Sequence, residues 1–196
     1  MENNCLYLFD FDGTITNKDT LFDFLQVSFP LKYKKIFIKF IPLFILVRFK
    51  IFDAGKIKQR FISQFLKGKT RSEIKKLVQY YFECRKNTLI RPKALEYIRA
   101  LSNEPNKYVV TASLDIWVEP FAKYLGLRLI STEAEFINEV FTGKFATPNC
   151  NYEQKAVRII SEIQLAKFIK IFAFGDSKGD KNMLELATDP FFRYFE

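Results

Sequence analysis

The 196-residue chain contains no histidine. His-based triads, imidazole general bases and His-ligated metals are therefore excluded, and acid–base chemistry falls to carboxylates, lysines or tyrosines. Cysteine is scarce: Cys5, Cys84 and Cys150 are widely spaced and odd in number. That argues against a disulfide framework or a zinc site and predicts reduced thiols in a cytoplasmic protein. Glycine and proline number only seven each, with no repeat or low-complexity tract, which speaks against disorder. Long apolar runs are missing too. The uncharged run Phe40 to Val47 falls far short of the ~20 residues that cross a bilayer, so an ATP-driven pump is excluded. The polar, acidic start Met1-Glu2-Asn3-Asn4 is unlike a secretory signal.

What is present is a core. Hydrophobic residues make up 48%, including 23 Phe and 9 Tyr, enough for one domain or one domain with a sizeable insertion. The net charge of +9 is uneven. Between Asn17 and Asn87 there are 17 basic and 5 acidic residues, a net of +12, whereas the rest of the chain carries a net of −3. Such asymmetry predicts a second structural unit. The boundaries expected are a core of residues 1–16 and 88–196, and a basic insertion of residues 17–87.

The stretch Leu6-Tyr7-Leu8-Phe9-Asp10-Phe11-Asp12-Gly13-Thr14 organises the rest. Its apolar run reads as a buried strand ending in two carboxylates. Gly13 turns the chain there, so both acids converge at the strand's carboxyl end, where open α/β sheets bind ligands. Close carboxylates need a cation, a shared proton or separate environments, and Mg²⁺ is the simplest oxygen-seeking cation. The plainer alternative is a polar strand end with a helix cap.

Downstream, Asp19-Thr20 caps a helix that stops near Pro30, and Leu31 to Lys50 forms another that Pro42 breaks or kinks. Asp53 to Leu66 and Thr70 to Arg85 are two more. The α/β pattern resumes with a helix at Pro92–Leu101 and a strand at Lys107–Ser113. A helix at Asp115–Leu125, a strand at Arg128–Ser131 and a hairpin over Phe136–Phe145 follow. The remainder reads as a helix at Asn151–Gln164, a strand at Ile169–Phe174, a last helix beginning at Met183–Ala187, and an edge strand at Phe191–Phe195. The alternation implies a parallel sheet with helices on both faces.

Three strand ends carry Asp10/Asp12, Thr111/Ser113 and Asp176/Asp180, and Lys155 opens a helix. This set, in this order, resembles the four motifs of the haloacid dehalogenase superfamily. The helical insertion after the first motif is similar to the cap of the branch containing phosphoserine phosphatase and bacterial phosphatidylglycerophosphatase. The resemblance implies a Rossmann-like α/β core with a small all-helical cap and a Mg²⁺-dependent phosphomonoester hydrolase. It makes Asp10 the nucleophile, forming an aspartyl-phosphate, and Asp12 the general acid and base. It places Mg²⁺ on Asp10, the Asp12 carbonyl and Asp176, with Asp180 acting through water or on Lys155. Thr111, Ala112 and Lys155 would receive the phosphoryl group. Arg60 faintly resembles a carboxylate-binding arginine of phosphoserine phosphatase, and Asp19 stands roughly where that family keeps an acid for the substrate's amine. Ser113 is expected to cap the following helix, and Cys150 to be a buried small residue.

The expected substrate is a small or lipid-linked phosphomonoester, with phosphoserine the specific alternative. No nucleic-acid substrate or partner is expected. Residues 31–50 suit peripheral contact with the anionic inner surface of a membrane, although charge runs are more often solvated helix faces. A non-catalytic binder of anionic lipid or nucleic acid through the basic insertion is the reading of another class.

Overall fold

The computed structural model describes residues 4–196, so most of the polar start lies outside the described residues. The strand expected at the first motif is β1 (Cys5–Phe9), the centre of a five-stranded parallel sheet. Its alternation divides the core in two. Cys5, Tyr7 and Phe9 point to one face, while Leu6 and Leu8 point to the other and meet Val110, Ile130 and Ala173. Every β1 residue is buried because both faces are covered, as in parallel sheets generally.

Beside β1 lies β2 (Lys107–Leu114), with β3 (Arg128–Thr132) outside it. On the other side the chain adds, after the antiparallel hairpin β4 (Ala134–Ile137) and β5 (Val140–Phe145), strands β6 (Lys170–Gly175) and β7 (Asp189–Phe192). The strand order is therefore β3-β2-β1-β6-β7. The winding reverses between β1 and β6, and a crevice opens at such a reversal beyond the strands' carboxyl ends.

Four helices leave the sheet after the first motif: α1 (Thr20–Ser28), α2 (Pro30–Arg48), α3 (Ala54–Leu66) and α4 (Arg71–Leu89). The outgoing and returning chains run side by side. Thr16 bridges Ile90, Asn17 N donates to Leu89 O at 2.9 Å and Arg91 N to Ile15 O at 2.8 Å. The helices share one apolar cluster with the sheet: Phe24 stacks on Trp117, and Tyr81 and Phe82 meet Phe121 edge-on. The hairpin is tied to the α3–α4 turn by Gly68 N→Phe141 O, Phe141 N→Lys69 O and Arg71 N→Glu139 O, all 2.8–2.9 Å. Helices α5 (Pro92–Ala100) and α6 (Asp115–Leu125) cover the same face of the sheet. On the other side lie α7 (Glu153–Glu162) and the one-turn α8 (Lys181–Leu184).

Several boundaries differ from expectation. Pro42 does not break α2, which continues through it from Pro30 to Arg48. Pro42 lies on the exposed side, and its missing N–H frees the carbonyl of Ile38, itself 65% exposed, for water. Helix α4 runs one turn beyond Arg85 because Leu89 is buried in the cluster. The last helix is a single turn at 181–184 rather than one beginning at Met183. The edge strand lies at 189–192 rather than 191–195, because Phe191 stacks on Phe174 beside it.

Candidate active site

Asp10 directly follows β1, with its backbone N–H donated to Phe174 O at 2.8 Å. Gly13 then takes φ +88°, which reverses the chain. A Cβ built on Gly13 would lie 2.5 Å from Asp176 Oδ2, so the missing side chain gives Asp176 its place. Thr14 Oγ1 donates to Asp176 Oδ1 at 3.2 Å.

Lys155, on the first turn of α7, is 1% exposed. It donates to Asp10 Oδ1 and, at 2.6 Å, to Asp180 Oδ1. The second oxygen of Asp180 accepts from the Ser177 N–H (2.9 Å), the Ser177 hydroxyl (2.8 Å) and the Asp176 N–H (3.2 Å). Both oxygens of Asp180 are thus engaged in holding the loop after β6 and the lysine. Burial drives the Asp10 carboxyl up to about 8; Lys155 opposes the rise, while Asp180 and Asp12 add to it. Burial also disfavours the Lys155 ammonium, but Asp10 and Asp180 outweigh it and its pKa is raised. Asp180 is lowered, because Lys155 and the Ser177 hydrogen bonds overcome burial. Asp176, half-buried, is raised by burial and by Asp180.

Asp12 sits in a separate network. Its Oδ2 accepts from Ser113 Oγ at 2.5 Å, and its Oδ1 from the Thr20 N–H at 2.6 Å at the start of α1. Trp117 Nε1 donates to Thr20 Oγ1 at 3.2 Å, packing this network under the apolar cluster. Ser113 therefore does not cap α6, whose N-cap Leu114 has no side-chain bond; its hydroxyl is drawn instead to the carboxylate across the strand end. Thr111 Oγ1 accepts from the Ser113 N–H at 3.0 Å, which holds its hydroxyl at this strand end.

Of the residues expected from sequence, Asp10, Asp176, Asp180 and Lys155 converge on one spot, with Asp12 and Thr111 at neighbouring strand ends. Arg60 is not brought there. It is exposed on α3, and the insertion's cation at the site is Lys58, whose Nζ donates to the Ala112 carbonyl at 2.8 Å. Burial lowers the Lys58 pKa against the pull of Asp19 and Asp12. Helix periodicity carried this signal: Lys58 adjoins the buried side of Ile57, Phe61 and Ile62, whereas Arg60 lies across the helix from it. Asp19 keeps solvent contact while crowded by surrounding atoms. Burial and the charge of Asp12 raise it to about 6, with Lys58 opposing. Its Oδ1 caps α1 through the N–H groups of Leu21 (3.0 Å) and Phe22 (3.4 Å). The Cys150 thiol is buried and pushed up to about 11, as expected of a packing residue.

The sequence profile of the haloacid dehalogenase-like hydrolases matches residues 7–185. Protein CicA of Caulobacter vibrioides is 33% identical over 195 residues, a match covering 97% of this chain and 86% of that protein. Among solved structures, a protein of unknown function from Bordetella pertussis Tohama I superposes with a TM-score of 0.84. It is 21% identical, and the match covers 96% of this chain and 89% of that one. A substrate-bound phosphoserine phosphatase superposes with a TM-score of 0.67 at 19% identity, covering 98% and 86% respectively. With a profile spanning both outer motifs and a relative 33% identical over 97% of this chain, the chain belongs to the haloacid dehalogenase-like hydrolases.

Proposed function

We propose that this hydrolase is a Mg²⁺-dependent phosphomonoesterase working through an aspartyl-phosphate on Asp10. The observation that carries the reading is the separate fastening of the two paired acids. Asp10 lies against a buried lysine, and Asp12, two residues on, is held apart by Ser113 and Thr20. Carboxylate oxygens of Asp10, Asp176 and Asp180 lie within 4.8 Å of one another, an all-oxygen set that fits a hard divalent cation. Asp10, Asp176 and the Asp12 carbonyl would hold Mg²⁺, with Asp180 at one remove; when bound, it supplies positive charge beside the phosphoryl oxygens.

An oxygen of Asp10 attacks phosphorus in line with the leaving oxygen, and the P–O bond to the substrate breaks as the acyl-phosphate bond forms. Asp12 passes its proton to the departing alkoxide. It then takes a proton from the water that attacks phosphorus and frees Asp10. The Thr111 hydroxyl, the Ala112 backbone N–H and the Lys155 ammonium receive the phosphoryl oxygens. The substrate is a small or lipid-linked phosphomonoester. Asp19 and Lys58, whose charges act on one another and feel Asp12, support phosphoserine itself, since an acid and a base beside Asp12 match its amine and carboxylate.

The test is hydrolysis of an aryl phosphate with and without metal. Activity should vanish in EDTA and return with Mg²⁺, with ³²P trapped on Asp10 after acid quench. Full turnover in chelator would sink the reading. A kcat/KM for phosphoserine no better than for the aryl phosphate would remove the phosphoserine variant alone.

A further inference from the structure

Helix α2 buries one side and leaves the opposite side apolar. Phe37, Phe40 and Phe44 face Phe61 and Phe22. Away from them lie Leu31 (84% exposed), Ile38 (65%) and Ile45 (50%), spaced seven apart and so on one line of the helix. The line continues into Phe49 (70% exposed) and Ile51 (64%). Exposed Lys34, Lys35, Lys39 and Arg48 flank it, and none of them forms an ion pair among the described residues. Residues 24–52 hold six basic side chains and no acidic one. No helix among the described residues is long and apolar enough to cross a membrane.

We infer that this face docks the protein on the surface of a bilayer containing anionic lipid, with α2 lying in the interface plane. Charge complementarity selects this occupant. An apolar line between two basic flanks lets the isoleucines enter the acyl boundary while the lysines reach the headgroups. A second copy would bring two faces of the same sign together, and a nucleic-acid backbone would meet the apolar line instead of the charges. The line also leads to a groove of about 990 Å³ lined by Ile51, Phe52, Lys50, Asn149 and Lys178. Asn149 contacts Thr132, whose hydroxyl donates to the Ala112 carbonyl that also accepts from Lys58. Docking by this face therefore brings the groove's α2 wall to the headgroups. It does not rest on the phosphatase reading, because vesicle binding is read without turnover.

The experiment is co-sedimentation of the full chain with phosphatidylcholine vesicles and with vesicles in which phosphatidylglycerol replaces part of that lipid, at low and high salt. Binding is expected to the anionic vesicles at low salt, to fall at high salt, and to be negligible on neutral ones. The triple variant Lys34→Gln, Lys35→Gln, Lys39→Gln should weaken it about a hundredfold, at ~1 kcal/mol per near-surface lysine. The triple variant Leu31→Ser, Ile38→Ser, Ile45→Ser should abolish it. These side chains are exposed, and an unchanged melting temperature confirms folding. No sedimentation with anionic vesicles at low salt overturns the proposal, as does binding indifferent to the serine variant. A wild-type dimer in light scattering that the serine variant converts to monomer would assign the face to self-association and overturn it as well.

Discussion

At the residue scale, the two paired carboxylates are distinguishable by their partners. Asp10→Asn should leave no trappable phospho-enzyme and no turnover. Asp12→Asn should keep the backbone carbonyl but lose proton transfer, slowing phospho-enzyme formation, read in single-turnover kinetics, by ~10²–10⁴ for alkyl phosphates and much less for aryl phosphates with good leaving groups. Equal losses on both substrate types in that half-reaction would show that Asp12 is not the acid. Ser113→Ala should repeat the Asp12→Asn leaving-group pattern in weaker form, because it unfastens one oxygen of that carboxylate without removing it. On α3, Lys58→Met should raise KM for substrates with an anionic leaving group, while Arg60→Met leaves it unchanged. The sequence showed Asp10, Asp12, Asp176, Asp180 and Lys155 because a strand end or first helical turn places each of them. Periodicity put Lys58 on the buried side of α3 and Arg60 across from it, but the partners of Lys58 and Ser113 were not legible, since they depend on an insertion docking and on one strand end facing another.

At the scale of elements, every strand and helix that periodicity predicted exists, and the errors lie where tertiary packing decided the end. Helix α4 gains its last turn from burying Leu89, and β7 takes its place from Phe191 lying flat on Phe174. Pro42 in α2 shows the reverse case: a strong local breaker tolerated because its surroundings are solvent. Replacing it by Ala restores a backbone hydrogen bond and removes no buried contact. Pro42→Ala should therefore stabilise the protein by ~1–3 kcal/mol, read as a rise in melting temperature. Gly13→Ala should do the opposite. Its φ of +88° and the 2.5 Å approach of an added Cβ to Asp176 strain the turn and displace a carboxylate, so both stability and turnover should drop.

Across the whole molecule, the acidic centre ties stability to pH. Burial pushes the folded Asp10 carboxyl up to about 8 from an ordinary value of 3.8, so between these the folded state favours a proton that the unfolded chain has released. In EDTA, stability should consequently decline as pH rises from about 4 towards 8. Mg²⁺ bound as proposed would favour the ionised form and should raise the melting temperature more at pH 8 than at pH 5; calorimetry at both values with and without metal measures this. A larger metal effect at pH 5 would contradict the assignment. The insertion is joined to the sheet by two strands bridged at Thr16 and Ile90, and gripped on its far side by the hairpin bonded to Gly68, Lys69 and Arg71. Mechanically these are two adjacent pins and a latch. Any separation of the helices from the sheet is confined to swinging about one axis through the pins, and it either breaks the latch's three backbone bonds or carries the hairpin along as part of the door.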